Sequence, residues 1–406
     1  MNYNSFLNKE ISDFLSLEVP GFPEPPQGRK VIMFSEGRPN FSRFPLDKAL
    51  PYVQEVFKTE YQTMLQYPPI KGNPELMKEL RKLMEKYVSL KGTEDDDMII
   101  MSGSQQALYM VSRILVDPGD YIVVERPTYL EAIFAFTYNK AKMLGVNQDE
   151  NGMKTDELET LLRKLKSEGK RIKFVYTVPN YQNPSGATLP MERRKHLYEL
   201  ASQYDFLIFE DDAYCYLSYE GKALPAIKSL DTEGRVIFTS TLSKILSPGL
   251  RIGWVFANKE IVKALLAAKE VIDLGVSGIS QYLATIWLRN GIHEEFLKIA
   301  IPWYKQKRDI MLEMLDELFR NDAHWTKPKG GLFIYVQFNN KKVNTQKLLE
   351  YAKKKGVLFV SGQPFYHDFS VLNTIRLNFS MPTEDEIKEG IRLLREAYDE
   401  YLSSGL

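Results

Sequence analysis

Residues 172–186 read IKFVYTVPNYQNPSG. An apolar run of strand length, rich in β-branched and aromatic residues, ends abruptly in proline, asparagine and glycine. The run lacks polar alternation, so the strand it predicts is buried on both faces, as in a parallel sheet covered by helices. The turn Pro179-Asn180-Tyr181-Gln182-Asn183-Pro184-Ser185-Gly186 then falls at the carboxyl end of a buried strand, where open α/β sheets bind ligands. A plain Pro/Asn/Gly loop accounts for its composition equally well.

Working outward, comparable runs recur at Met98–Met101, Tyr121–Glu125, Phe206–Phe209, Val236–Thr239 and Ile252–Phe256, each separated from the next by a helical pattern. Strand and helix in alternation predict an α/β domain with a mostly parallel sheet. Beyond Trp254 the texture changes to long helical stretches, Lys259–Val271, Ser280–Arg289 and Glu294–Phe319. Strands at Leu332–Gln337, Val357–Val360 and Thr374–Phe379 and a last helix, Glu384–Tyr401, follow, as in a smaller α+β unit. The first 45 residues read as an arm, with an amphipathic segment near Phe6–Leu17 and then the proline-rich run VPGFPEPPQG. The expected division is an arm over 1–45 that joins the small domain, a large domain over 46–300 and a small domain over 301–406, the last boundary falling inside a helix.

The 406 residues carry 53 Lys+Arg against 53 Asp+Glu. A nucleic-acid partner normally demands a basic surplus, and there is none. With 44% hydrophobic and 26% charged residues the composition is that of an ordinary globular protein, which excludes disorder, collagen and a disulfide scaffold. Cys215 is the single cysteine and the four histidines are scattered, so structural zinc is not expected. The N-terminus is acidic where a signal peptide is basic, and no apolar stretch approaches the ~20 residues that span a bilayer. A soluble, cytoplasmic protein without membrane or nucleic-acid partner is the expectation.

Three further constellations could carry chemistry. Ser102-Gly103-Ser104-Gln105-Gln106 joins a strand to a helix, and the free N–H groups of such a turn bind phosphate readily. A serine N-cap on an ordinary helix is the plainer reading. Glu210-Asp211-Asp212-Ala213-Tyr214 puts three carboxylates at the end of a buried strand, a repulsion that calls for a cation or a proton-bearing partner unless the loop is simply solvated. Thr241-Leu242-Ser243-Lys244 with Arg251 offers an amine nucleophile beside an anion clamp. A lysine among apolar and cationic neighbours has a depressed pKa suited to Schiff-base chemistry.

Taken in order, Asn183-Pro184-Ser185-Gly186, Asp211 with Tyr214, and Thr-Leu-Ser-Lys244 with Arg251 resemble the cofactor site of fold-type I pyridoxal-phosphate-dependent aminotransferases, class I/II. The likeness runs from about residue 30 to the end. It includes Leu65-Gln66-Tyr67 and Glu210-Asp211-Asp212, shared with the 2-aminoadipate, kynurenine and aromatic aminotransferases. The resemblance implies a large domain whose mostly parallel seven-stranded sheet lies between helices, plus a smaller α+β domain, with pyridoxal 5′-phosphate as cofactor. It implies that Lys244 forms the Schiff base, that Asp211 keeps the pyridine nitrogen protonated and that Asn183 and Tyr214 hydrogen-bond the ring 3-oxygen. Ser104, Gln105, Ser243 and Arg251 would hold the phosphate, and Tyr129 would stack on the ring. Arg376 would bind the substrate α-carboxylate, with Gly37 and Asn183 beside it, and Tyr67 would reach the cofactor phosphate of the other subunit in an obligatory homodimer with shared active sites.

The implied reaction is a ping-pong transfer from an aromatic or 2-aminoadipate-like amino acid to a 2-oxo acid, 2-oxoglutarate above all. A carbon–sulfur β-lyase uses the same groups. An effector-sensing regulator would need a winged-helix segment ahead of this region, for which the arm is too short. The chain departs from the subgroup at Ser35-Glu36-Gly37-Arg38-Pro39-Asn40, where only Gly37 remains of an early glycine pair; Glu36 and Arg38 either face solvent or alter the charge of the side-chain pocket.

Overall fold

A computed structural model describes residues 3–16, 23–25, 28 and 31–405. Its strands, in chain order, are β1 (Ile32–Met33), β2 (Asp96–Ser102), β3 (Tyr121–Arg126), β4 (Lys142–Asp149), β5 (Gly152–Met153), β6 (Ile172–Thr177) and β7 (Leu207–Asp211). They continue with β8 (Val236–Thr241), β9 (Ile252–Asn258), β10 (Ala323–Trp325), β11 (Phe333–Phe338), β12 (Val357–Leu358), β13 (Val360–Ser361) and β14 (Thr374–Asn378).

The large sheet runs β2-β9-β8-β7-β6-β3-β4-β5. From β8 through β4 the neighbours are parallel, whereas β9 is antiparallel to both β2 and β8. This geometry decides where the chemistry collects. The carboxyl ends of β2, β3, β6, β7 and β8 share one edge of the sheet, and the reversed β9 brings its start, next to Arg251, to that same edge.

The expected apolar runs are all strands, fully buried through most of their length. Seven long strands make the expected sheet, but the two-residue β5 adds an eighth, antiparallel to β4. The hairpin β4–β5 has no counterpart among the expected runs. In β4 only Val146 is fully buried, and Lys142, Asn147, Gln148 and Asp149 interrupt any apolar signal, as suits a strand near a sheet edge.

Helix 292–319 runs unbroken from the large sheet to the second one, β10-β11-β14-β13, whose pairings are all antiparallel. The expected strand over Val357–Val360 splits into β12 and β13. The exposed His324 hid the short β10 from a reading of apolar runs. The arm joins this unit: β1 pairs in parallel with β12, and Phe34 packs fully buried against Gly390 of the last helix, Glu384–Ser403. The amphipathic segment is a helix over Lys9–Leu15 whose Phe14 meets Tyr138 edge-on; most of the proline-rich run lies outside the described residues. Among the described residues no helix is long and apolar enough to cross a membrane.

Candidate active site

At the shared edge lies a cavity of about 140 Å³ lined by Ser104, Gln105, Tyr129, Asn183, Asp211, Tyr214, Ser243, Lys244 and Arg251, together with Val178, Ala213, Thr241 and Pro248. The sequence motifs therefore converge.

The strand-to-helix turn at one end is not capped by serine. Gly103 is the N-cap of helix 104–115, at φ +75°, and no side chain bonds to the first turn. The Ser104 and Gln105 N–H groups are thus the unsatisfied donors of a helix start, while that of Gln106 donates to Gly103 O at 3.2 Å. A Cβ on Gly103 would collide with the Arg251 guanidinium, and one on Gly253 with the backbone of Gly103 and Ser104. Glycine at both places lets β9 and the arginine close on the turn. Arg251 donates to Ser102 O at 3.2 Å, and the Ser243 and Thr241 hydroxyls lie 2.8 Å apart. Converging N–H groups, two hydroxyls and a guanidinium make a cradle for a phosphate.

At the other end the three carboxylates of Glu210-Asp211-Asp212 are all buried, so the solvated-loop reading fails. Strand alternation separates them. Glu210 accepts the N–H groups of Ile227 and Lys228 at 2.7 and 2.8 Å, and Asp212 accepts Asn180 Nδ2 at 2.8 Å. Arg194, itself fully buried, donates to Asn180 Oδ1 at 2.7 Å and faces both acids electrostatically. Only Asp211 lines the cavity. Its Oδ2 accepts the Tyr176 hydroxyl at 2.9 Å, whereas Oδ1 is buried with no partner. Burial pushes this carboxyl up to about 7 and the neighbouring Asp212 adds to the shift, against the opposing pull of Tyr176 and Lys244.

Lys244, in the short helical turn after β8, is half-buried, and its Nζ donates to Gly37 O at 2.9 Å. Desolvation, then the cations Arg376 and Arg251, bring its ammonium down to about 8 despite Asp211. A usable fraction of free amine near neutral pH follows. The Tyr214 ring lies 5.6 Å from this nitrogen, and burial raises the phenols of both Tyr214 and Tyr129.

Arg376 points inward from β14, 1% exposed, and is not an outward salt-bridging residue. Its guanidinium donates to Asn183 Oδ1 at 3.1 Å and to Ser35 O at 3.0 Å and lies 4.2 Å from the Phe333 ring centroid, beside Gly37. Glu36 and Arg38 pair with one another, and Arg38 is 60% exposed; neither lines the cavity. Tyr67 is 86% exposed and stands apart from this chain's cavity.

Sequence reasoning missed Val178 and the supporting Tyr176 and Arg194, and it carried Asn180, Ala213, Thr241 and Pro248 only as motif neighbours without a role. The signal for Tyr176 was present: a tyrosine inside a fully buried strand needs a partner for its hydroxyl.

The donor set fits pyridoxal 5′-phosphate. The unpartnered Asp211 Oδ1 suits a protonated ring nitrogen, the Gly103 cradle suits a phosphate, and the Lys244 amine suits an aldehyde.

The sequence profile of the family described as aminotransferase class I and II matches residues 29–394. The aromatic-amino-acid aminotransferase 1 of Thermococcus litoralis is 38% identical over 400 residues, covering 98% of this chain and 95% of its own. The 2-aminoadipate transaminase of Thermus thermophilus is 31% identical over 370 residues, 90% of each chain. The crystal structure of Pyrococcus horikoshii kynurenine aminotransferase, solved with PMP, superposes with a TM-score of 0.89 at 40% identity, covering 99% of this chain and 97% of that one.

Proposed function

Since the chain belongs to the class I and II aminotransferases, which work with pyridoxal 5′-phosphate, we propose that it moves the amino group of an aromatic or 2-aminoadipate-like amino acid to a 2-oxo acid, 2-oxoglutarate above all, in a ping-pong cycle. The observation that carries the assignment of roles is the unpartnered Asp211 Oδ1 in one cavity with the Lys244 amine and the phosphate cradle.

When bound, the cofactor supplies an aldehyde conjugated to a ring that accepts the electron pair left on deprotonation of the substrate Cα. Lys244 would hold the cofactor through its amine and would serve as the base for the substrate Cα proton; an amine near 8 is matched to that work. Asp211 keeps the ring nitrogen protonated. Asn183 has its oxygen committed to Arg376, which leaves its amide NH2, beside the Tyr214 hydroxyl, as a donor that would serve the ring 3-oxygen. Tyr129 covers the ring face, and Ser104, Gln105, Ser243 and Arg251 take the phosphate. Arg376 binds the α-carboxylate with two parallel donors, beside Gly37 and Asn183. The large domain (46–300) thereby carries the cofactor and the small domain (301–406), joined by the arm (1–45), carries the carboxylate clamp.

The second subunit belongs to the same proposal. Leu65, Tyr67, Val271, Ile272 and Leu274 are all exposed, and their two segments touch where Gly275 packs over Pro68. Apolar side chains so clustered call for a cover. A second copy covering them would place Tyr67 at the other subunit's phosphate in a cytoplasmic homodimer. Steady-state rates at varied donor and 2-oxoglutarate test the cycle: parallel double-reciprocal lines are expected, and intersecting lines would contradict it. A panel of Tyr, Phe, kynurenine, 2-aminoadipate, Glu and Leu ranks the donors.

A further inference from the structure

Behind the phosphate cradle lies a polar cluster that the reading above leaves unused. Gln106, the third residue of helix 104–115, folds back so that Oε1 accepts the Ser102 N–H at 2.7 Å, while Nε2 donates to Asp273 Oδ2 at 2.6 Å. Lys269, whose side chain has no solvent exposure, donates to that same Oε1 at 3.1 Å and to the two Asp273 oxygens at 2.9 and 2.7 Å. Asp273 also accepts the Gly275 N–H at 3.0 Å.

Lys269 sits in the last turn of helix 259–272, where its charge suits the helix dipole, but the ion pair as a whole is costly there. Asp273 is the C-cap of helix 259–272, where a negative charge opposes the helix dipole. Lys269 lies on the buried face of that helix, where an apolar side chain would avoid the desolvation of an ammonium. What both do is grip one amide. Gln106 in turn grips the N–H just ahead of Gly103, the residue at φ +75° that bends the chain from β2 into the helix. The helix lacks a side-chain N-cap, and the other side-chain bond to this bend, from Arg251 to Ser102 O, comes from the ligand side of the turn.

We propose that Gln106, Asp273 and Lys269 are positioning residues for the phosphate: they fix the Ser102–Gly103 bend from which the Ser104 and Gln105 N–H groups are presented, so that a phosphate finds the cradle preorganised. The inference rests on the assignment of that turn to the cofactor phosphate. None of the three touches the ligand; each acts through the turn.

The test titrates the apoenzyme with pyridoxal 5′-phosphate, with pyridoxal lacking the phosphate, and with inorganic phosphate. Gln106→Leu is expected to weaken both phosphate-bearing ligands by about tenfold, equivalent to 1.4 kcal/mol, and to leave pyridoxal within about twofold. Asp273→Asn, at a side chain 25% exposed and therefore tolerant, is expected to lose affinity in the same pattern. The double variant is expected to be no weaker than Gln106→Leu alone, since the residues act as one unit. Equal loss for pyridoxal and its phosphate, or no loss for either, would overturn the proposal. Wild-type protein that takes up neither aldehyde would overturn the underlying assignment as well.

Discussion

The Tyr176 hydroxyl donates to Asp211 Oδ2 at 2.9 Å while Asp211 Oδ1, equally buried, has no partner. One oxygen is thus anchored by the protein and the other reserved. Tyr176 is fully buried among Phe136 and Phe209, so the anchor cannot swing away.

Tyr176→Phe removes a hydrogen bond that favours the carboxylate. The Asp211 carboxyl, already near 7, will titrate higher, and less of it will be ionised at neutral pH. At pH 7 kcat should fall by about tenfold, the weight of one hydrogen bond to a charged group, with KM nearly unchanged. A carboxyl midpoint that does not move, read by 13C NMR of the apoenzyme, would sink this role.

Burial raises Glu125, Glu210 and Asp211 each to about 7. For a folded value above the unfolded one the sign is fixed: the stabilising contribution is present below about pH 4 and is lost as pH rises through 7. Asp211→Asn should therefore stabilise the apoprotein at pH 8 by about 2 kcal/mol, the order expected for relieving an unsatisfied buried charge. At pH 4 and below the gain should largely vanish. Melting temperatures at the two pH values check this, and a gain independent of pH would contradict it.

Arg376 offers a planar pair of donors from a fully buried position, and lysine cannot reproduce that geometry. Arg376→Lys is expected to raise KM for the donor by about a hundredfold, the upper range for a charge-assisted pair, with cofactor affinity retained. Arg376→Met also removes a cation that holds Lys244 down near 8. The pH midpoint for cofactor capture by the apoenzyme should move upward; a downward shift would refute the electrostatic coupling.

Glu36 and Arg38 satisfy one another across Gly37, and Arg38 is largely in solvent. Such pairs contribute about 0–1 kcal/mol. Arg38→Gln should leave the order of amino donors unchanged in the donor panel, and a switch between acidic and aromatic donors would place this pair in the substrate pocket after all.

Much of this was legible in the chain itself. Buried strands such as Ile172–Thr177 announce themselves because both faces are apolar, and the residues that follow them gather at one edge because parallel strands point the same way. What escaped was whatever depends on partners distant in sequence. The carboxylates of Glu210-Asp211-Asp212 read as one repelling cluster, yet alternation along β7 sends Glu210 to the Ile227 turn, Asp212 to Asn180 and only Asp211 to the cavity. The helix start read either as a phosphate-binding turn or as a serine cap, because local sequence could not reveal that Gly103 is the N-cap or that Gln106 bonds back to Ser102 and across to Lys269 and Asp273. The hairpin β4–β5 escaped because an edge strand keeps its polar residues.

Lys244 and Asp211 are proposed to operate one cofactor in an amino-transfer cycle. Absorption spectra of the purified holoprotein test it most directly. The visible band of lysine-bound cofactor should disappear on adding an amino donor, as the pyridoxamine form accumulates, and return on adding 2-oxoglutarate, while Lys244→Ala should show neither change. A holoprotein that converts the donor to pyruvate and ammonia without passing to the pyridoxamine form, or one with no visible band at all, would contradict the account.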